Sequence, residues 1–281
     1  MSKTLKPIIL MLLFLSGLVN AQEIELETSE RYIASANFLE GEADKKALLI
    51  LHGFLQTRNF STVKRLGDTL HESGFSVLSP TLSLGLHRRR QSLPCEAIHT
   101  HSIQTDAAEI KQWVDWLTEK TGKKPTLIGH SSGSITLLNY LDIYGTDGIE
   151  KLILISISPF TNEITPVDEK NLKWARDDLN SGYDSLYTYK LSYCDTYPST
   201  SSAWLSYKQW DQEKLGELTV KYSDLIDVII GTNDNRLSME WRDLLQSKGV
   251  NISFIEGANH FFDQAHEFDL SDTMESLLDA D

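Results

Sequence analysis

The sequence has 281 residues, 41% of them hydrophobic, enough to bury one core of ordinary size. Its 40 acidic residues outnumber 26 basic ones, for a net charge of −14. Such a surface repels nucleic acid and anionic membrane, which excludes both as partners, but it says little about fold.

The chain opens with a segment that is not expected to be part of the fold. Residues 1–21 carry Lys3 and Lys6, an apolar run from Ile8 to Leu15, and the small-residue ending Val19-Asn20-Ala21. That is the pattern of a secretory signal cleaved after Ala21. The run is short for a bilayer span, so no stable membrane span is expected after cleavage, and an uncleaved anchor is the alternative. No Cys follows the run, which argues against a lipid-anchored form. Without Lys3 and Lys6, 24 basic residues face 40 acidic ones, and the charge becomes −16.

Apolar β-rich runs then alternate with helical patterns. Arg31–Leu39 reads as an antiparallel strand at the start of a sheet. Lys46–Gly53 is a continuous apolar run, as in a strand buried on both faces. A helix follows near Val63–Glu72, and Phe75–Pro80 is the next strand. Ile103, Ala107, Ile110, Val114 and Leu117 recur at steps of four, three, four and three, one face of a helix. Pro125–Gly129 is a strand, and Ile135, Leu138 and Leu141 give the next helix its apolar face. Lys151–Ser158, Leu225–Gly231 and Val250–Gly257 complete the strands, before a C-terminal helix. The alternation predicts an α/β fold, a mostly parallel central sheet with helices on both faces, over residues 22–281.

Residues 159–222 break the rhythm and are too long for a simple crossover, so they read as an inserted cap. The insertion holds Tyr183, Tyr187, Tyr189, Tyr193, Tyr197, Trp204, Tyr207 and Trp210. These rings either pack the cap's own core or line an apolar or carbohydrate-binding pocket. Tyr187 and Trp204 are the candidates for substrate contact.

Gly129-His130-Ser131-Ser132-Gly133 has the form G-x-S-x-G, with a buried strand before it and an amphipathic helix after it. A serine on such a turn is held in a strained conformation with its Oγ exposed. The helix N-terminus behind it points N–H groups and the positive end of a dipole at the site. Its hydroxyl needs a base. Asp234 follows one strand and His260 the next, giving the chain order Ser131, Asp234, His260, which suits a parallel sheet of this kind.

With the motifs His52-Gly53-Phe54, "GHSSG", "GTND" and "GANH" together, nearly the whole chain after residue 21 resembles the α/β-hydrolase superfamily, near esterases and lysophospholipases. The resemblance implies Ser131 as nucleophile, His260 as general base and acid, and Asp234 as its orienting carboxylate. It implies oxyanion donors in the backbone N–H groups of Ser132 and Phe54. The single His-Gly pair departs from the HGGG of one lipase and esterase branch.

Other candidates fit less well. Asp227 lies inside a strand, Ser132 and Ser134 miss the elbow position, and Asp263 and His266 read as the start and second turn of a helix. His130 and His52 read as structural. His99 and His101 lack a third metal ligand nearby, so no metal and no organic cofactor are expected. Arg88-Arg89-Arg90 is either a solvated loop or a grip on an anionic substrate group, because loops after parallel strands overhang the site. The two cysteines, Cys95 and Cys194, form a disulfide if the chain is exported, and free buried thiols otherwise.

The sequence therefore predicts a periplasmic or secreted serine hydrolase acting on a small or lipid-like carboxylic ester. Thioesters, amides and peptides suit the same triad. A haloperoxidase-like or C–C hydrolase reaction, or a non-catalytic binding protein on this scaffold, are the other readings.

Overall fold

The computed structural model describes residues 21–161 and 164–280, so the signal-like residues 1–20 fall outside it. In chain order its elements begin β1 (Gln22–Glu27), β2 (Ile33–Leu39), β3 (Ala47–Leu51), α1 (Ser61–Glu72), β4 (Ser76–Thr81), α2 (Ile103–Thr121), β5 (Thr126–His130), α3 (Ser132–Tyr144) and β6 (Lys151–Ile155). Then come α4 (Pro166–Asn180), β7 (Leu186–Leu191), β8 (Cys194–Thr200), α5 (Ser201–Lys208) and α6 (Gln212–Lys221). The chain closes with β9 (Ile226–Gly231), α7 (Met239–Ser247), β10 (Asn251–Ile255) and α8 (His266–Asp279).

Eight strands form one sheet in the order β1-β2-β4-β3-β5-β6-β9-β10. Pairing is antiparallel on both sides of β2 and parallel from β4 to β10. The parallel strands are continuous apolar runs because both faces are covered. Side chains alternate between those faces. Leu49, Leu51, Leu127, Leu152 and Leu154 join the core under α2 and α3. Leu48, Ile50, Ile128, Ile153 and Ile155 join the core shared with α1 and α8.

Local signals set the helix ends. Ser102 caps α2, its Oγ accepting from the Thr105 N–H at 3.1 Å, and Gly122 in the left-handed region stops it (φ 71°). β1, which has only one neighbouring strand, escapes the sequence reading because its apolar Ile24 and Leu26 alternate with glutamates over six residues.

The order of strands fixes where a site can form. From β3 the chain steps out to β4 and then returns to β5 on the other side of β3. In an open parallel sheet that reversal opens a crevice beyond the carboxyl ends of the strands. The segment between β6 and β9 holds α4, the β7–β8 hairpin, α5 and α6. Tyr189, Tyr197, Trp204, Tyr207 and Trp210 are buried, and the Tyr189 and Trp204 rings stack at 4.2 Å. Tyr189 and Trp204 thus pack within the insertion, whereas Tyr197 and Tyr207 pack against Phe54 and the loop at His99 and His101.

A disulfide joins Cys95, in the loop after β4, to Cys194 at the start of β8, with Cα atoms 5.4 Å apart. The same two segments meet again where the His99 N–H donates to the Pro198 carbonyl at 2.8 Å. The His99 ring also stacks on Tyr197 at 4.1 Å. No helix among the described residues is long and apolar enough to cross a membrane.

Candidate active site

Ser131 sits between β5 and α3 with φ 56° and ψ −124°, a conformation that a non-glycine residue adopts only when its surroundings enforce it. The glycines on either side make that possible. A Cβ on Gly129 would lie 2.6 Å from the Ser134 nitrogen, and one on Gly133 would lie 2.5 Å from the His52 carbonyl oxygen. Only hydrogen at both positions lets the strand, the turn and the loop after β3 close up. The Ser131 N–H is tied to the Ile155 carbonyl at 2.8 Å, and Ser134 Oγ donates to the Gly129 carbonyl at 2.7 Å.

Asp234 follows β9 and His260 follows β10. The two loops are stitched together: the Asn233 N–H donates to the Ala258 carbonyl at 2.9 Å, and the Gly257 N–H donates to Thr232 Oγ1 at 2.8 Å. Arg242 on α7 holds the first loop from behind, donating to the carbonyls of Thr232 and Asp234. His260 Nδ1 then meets Asp234 Oδ2 at 2.8 Å, and Nε2 meets Ser131 Oγ at 3.0 Å. The structure therefore brings Ser131, His260 and Asp234 into one hydrogen-bonded row.

Asp234 is fully buried and His260 nearly so, while Ser131 keeps some exposure. Burial works against a charge on Asp234, but the hydrogen bonds it accepts from His260 and the Arg236 N–H outweigh it and hold its pKa below the ordinary carboxylate value. An ionised carboxylate only accepts, so Nδ1 carries the imidazole proton and the Nε2 lone pair faces the Ser131 hydroxyl. His130 supports this arrangement, its Nε2 lying 2.9 Å from the His260 carbonyl. Burial and the neighbouring His260 push its own pKa down to about 4, so it stays neutral.

The loop after β3 faces the serine. His52 Nδ1 donates to the Gly53 carbonyl at 2.8 Å, and its Nε2 accepts from the Leu82 N–H at 3.2 Å. Burial lowers its pKa to about 3, with Arg89 adding to the effect. His52 is thus a neutral brace. Gln56 Oε1 accepts the Gly53 N–H at 3.2 Å. The N–H groups of Phe54 and Ser132, by contrast, have no acceptor among the described residues.

A cavity of about 230 Å³ opens over Ser131 and His260, walled by Phe54, Phe160, Tyr193 and Phe261 with Gln56 and Arg236. The five residues expected to touch substrate are elsewhere. Arg88 pairs with Glu25 and Arg90 with Glu23, both on β1, because those loops lie beside the edge of the sheet. Arg89 is buried under the oxyanion loop, donating to the carbonyls of Leu82 at 2.7 Å and Gln56 at 2.7 Å. Trp204 lies in the insertion's core, and Tyr187 is exposed and packs on Trp174 at 4.7 Å. Among the rival residues, Asp227 in β9 pairs with Lys151, and α8 begins at His266, so neither Asp263 nor a second-turn histidine stands where expected. No group of three metal-ligating side chains occurs among the described residues.

Residues 46–183 match the family model of the alpha/beta hydrolase fold. The chain superposes on Est1E from Butyrivibrio proteoclasticus over 92% of its length and 99% of that chain, with a TM-score of 0.64 and 14% identity. A carboxyl esterase from Bacillus coagulans gives a TM-score of 0.66 at 14% identity, over 92% of this chain and 98% of that one. The thioesterase domain from the curacin biosynthetic pathway gives 0.60 at 16% identity, over 92% and 99%.

The chain has the α/β-hydrolase fold.

No curated protein sequence matches it. Within this sheet Ser131 follows the end of β5, Asp234 the end of β9 and His260 the end of β10. Tyr193 is among the insertion's rings read as possible pocket lining, whereas Phe160, Phe261 and Arg236 escape the sequence reading. Phe261 and Arg236 carry a signal, their positions one residue beyond His260 and two beyond Asp234.

Proposed function

We propose that the protein is a serine hydrolase that cleaves a carboxylic ester through an acyl-enzyme on Ser131. The observation that carries this reading is the unbroken row from Asp234 through His260 to Ser131 Oγ, at 2.8 and 3.0 Å, on the wall of a cavity. Ser131 Oγ attacks the ester carbonyl carbon as its proton passes to His260 Nε2. The negative charge that forms on the carbonyl oxygen is met by the N–H groups of Phe54 and Ser132. When the carbonyl re-forms, the C–O bond to the alcohol breaks and His260 returns the proton to the leaving oxygen. Water then repeats the sequence, giving up a proton to His260, and frees the acid and Ser131. Asp234 stays ionised throughout and stabilises the imidazolium.

The cavity holds the volume of about eight waters at ~30 Å³ each and is smaller than pockets for drug-sized ligands, about 300 Å³ and up. A short acyl group fits it best. Neutral fluorophosphonate should label wild-type protein and not Ser131→Ala. A p-nitrophenyl ester series should lose kcat/KM as the acyl chain lengthens. Labelling of Ser131→Ala at the wild-type rate would remove the nucleophile assignment. The Cys95–Cys194 disulfide supports maturation in an oxidising compartment, periplasmic or extracellular, in line with the leader-like residues 1–21. A thioester is the second reading, because the same triad serves it and one structural neighbour is a thioesterase domain. Paired oxygen and sulfur esters of one acyl group separate the two.

A further inference from the structure

We propose that the substrate carries a carboxylate, and that Arg236 is the residue that selects it. The proposal rests on the reading of Ser131 as nucleophile and names the substrate class of that site.

Arg236 lines the same cavity as Ser131 and His260. Its backbone is fixed to the acid loop, the N–H donating to Asp234 Oδ1 at 3.0 Å. Its guanidinium lies over two rings of the cavity wall, 4.8 Å from Phe261 and 5.8 Å from Tyr193. Aromatic faces hold an arginine in plane while leaving its edge N–H groups free. Those N–H groups meet no acceptor among the described residues, and the residue is exposed.

The other arginines are engaged differently. Arg31, Arg58, Arg65, Arg88 and Arg90 pair with glutamates. Arg89 and Arg242 are spent on backbone carbonyls. Arg176, on α4, and Arg236 remain without such partners among the described residues, and only Arg236 faces the serine. Among the described residues no carboxylate lines the cavity. Asp234, the closest acid in sequence, is buried and committed to His260. An unneutralised planar cation in an acid-free cavity, inside a protein of net charge −14, is suited to a bidentate carboxylate. The arginine triplet read from sequence as an anion grip is spent elsewhere, and the role falls to this residue on the other side of the site.

The test uses two ester pairs on the full chain and on Arg236→Gln and Arg236→Lys. Mono-p-nitrophenyl adipate against its methyl ester places the charge on the acyl side. 4-Acetoxybenzoate against methyl 4-acetoxybenzoate places it on the alcohol side. In one of these pairs, wild type should prefer the anion, and Arg236→Gln should lower the anion-to-neutral ratio of kcat/KM at least about tenfold, chiefly through KM. Arg236→Lys should recover part of that ratio, since it restores the charge without the fork. A ratio unchanged by Arg236→Gln in both pairs, or a wild type that prefers the neutral ester in both, overturns the proposal. Failure of wild type to react with fluorophosphonate would instead strike the nucleophile reading. The anion site is then read by calorimetric titration with benzoate. Binding that weakens in Arg236→Gln supports it, and absent or equal binding overturns it.

Discussion

Ser131, Asp234 and His260 stand at the ends of β5, β9 and β10, three strands of one sheet, whereas Ser192 and Tyr193 reach the same cavity from the β7–β8 hairpin outside that sheet. The first group is held by backbone ladders and by hydrogen bonds between loops. The hairpin tip is held by the adjacent Cys95–Cys194 bond, by the packing of β8 against the loop around His99, and by Tyr193 donating to the Phe54 carbonyl at 3.0 Å. A sheet end positions reacting atoms to fractions of an ångström, while a strapped hairpin shapes the entrance. Damage to the two regions should therefore read out differently, the first in kcat and the second in stability and KM.

The largest effect is expected at the strand ends. Ser131→Ala, His260→Ala and Asp234→Asn should each lower kcat by on the order of a thousandfold or more and leave the circular dichroism spectrum unchanged. The losses should not add if the three groups act as the proposed unit. If a double variant proves far slower than either single one, that unit does not exist and the separation of kcat from entrance effects breaks down.

Cutting the strap is the next largest. The bond closes a loop across a sequence separation of 99 residues. Chain entropy puts its contribution at up to about 4–5 kcal/mol, an upper-range figure. Cys95→Ser with Cys194→Ser should lower Tm by roughly 10 °C and raise KM. Fluorophosphonate labelling of Ser131 should persist, since the sheet still holds the triad. Loss of labelling in protein that remains folded would mean that the hairpin positions the reacting atoms after all.

A third effect comes from beneath the loops. Glu109 on α2 is buried and accepts the Ser83 N–H on both carboxylate oxygens, at 3.1 and 3.0 Å. Burial raises its pKa from 4.5 to about 7, with the nearby Asp106 adding to the shift. A raised acid binds its proton more tightly in the folded chain. It therefore costs stability progressively as pH climbs from about 4.5 to 7, by roughly 3 kcal/mol in full. Glu109→Gln keeps an acceptor for Ser83 and removes the charge. Urea unfolding at pH 5 and pH 8 should show the variant gaining most at pH 8. An equal gain at both would show that Glu109 does not titrate in this window.

The sheet and the row of three were legible in the sequence because each has a local cause. Buried parallel strands are written as apolar runs, and the elbow needs glycines on both sides of Ser131. The pocket wall was not legible, because it is assembled from distant loops whose residues carry no periodic signal. Arg88-Arg89-Arg90 illustrates the difference. Three adjacent cations look alike in sequence, yet two reach out to β1 and one turns inward to hold the Leu82 and Gln56 carbonyls. Trp204 and Tyr193 differ in the same way. Trp204 packs against Tyr189 inside the insertion, and Tyr193, next to the disulfide-bonded Cys194, lines the cavity over the serine.

The smallest effect expected is at the single hydrogen bond that joins the two regions. Tyr193 Oη donates to the carbonyl of Phe54, the residue whose N–H is proposed as an oxyanion donor. The Phe54 ring also packs edge-on against Tyr193 at 5.8 Å and against Phe160 at 5.4 Å. Tyr193→Phe retains those ring contacts and removes only the hydroxyl. A neutral hydrogen bond of this kind contributes about 1 kcal/mol net, so a purely mechanical link would cost several-fold. If the bond fixes the Phe54 backbone, and through it the Gly53–Phe54 peptide plane that carries the Phe54 N–H, kcat should fall by that factor and KM should hardly move. If it only steadies the hairpin, KM should rise and kcat remain. Comparing Tyr193→Phe with the cysteine double variant on one neutral ester decides between them. A fall in kcat for Tyr193→Phe alone would move Tyr193 from the entrance to the support of the oxyanion loop.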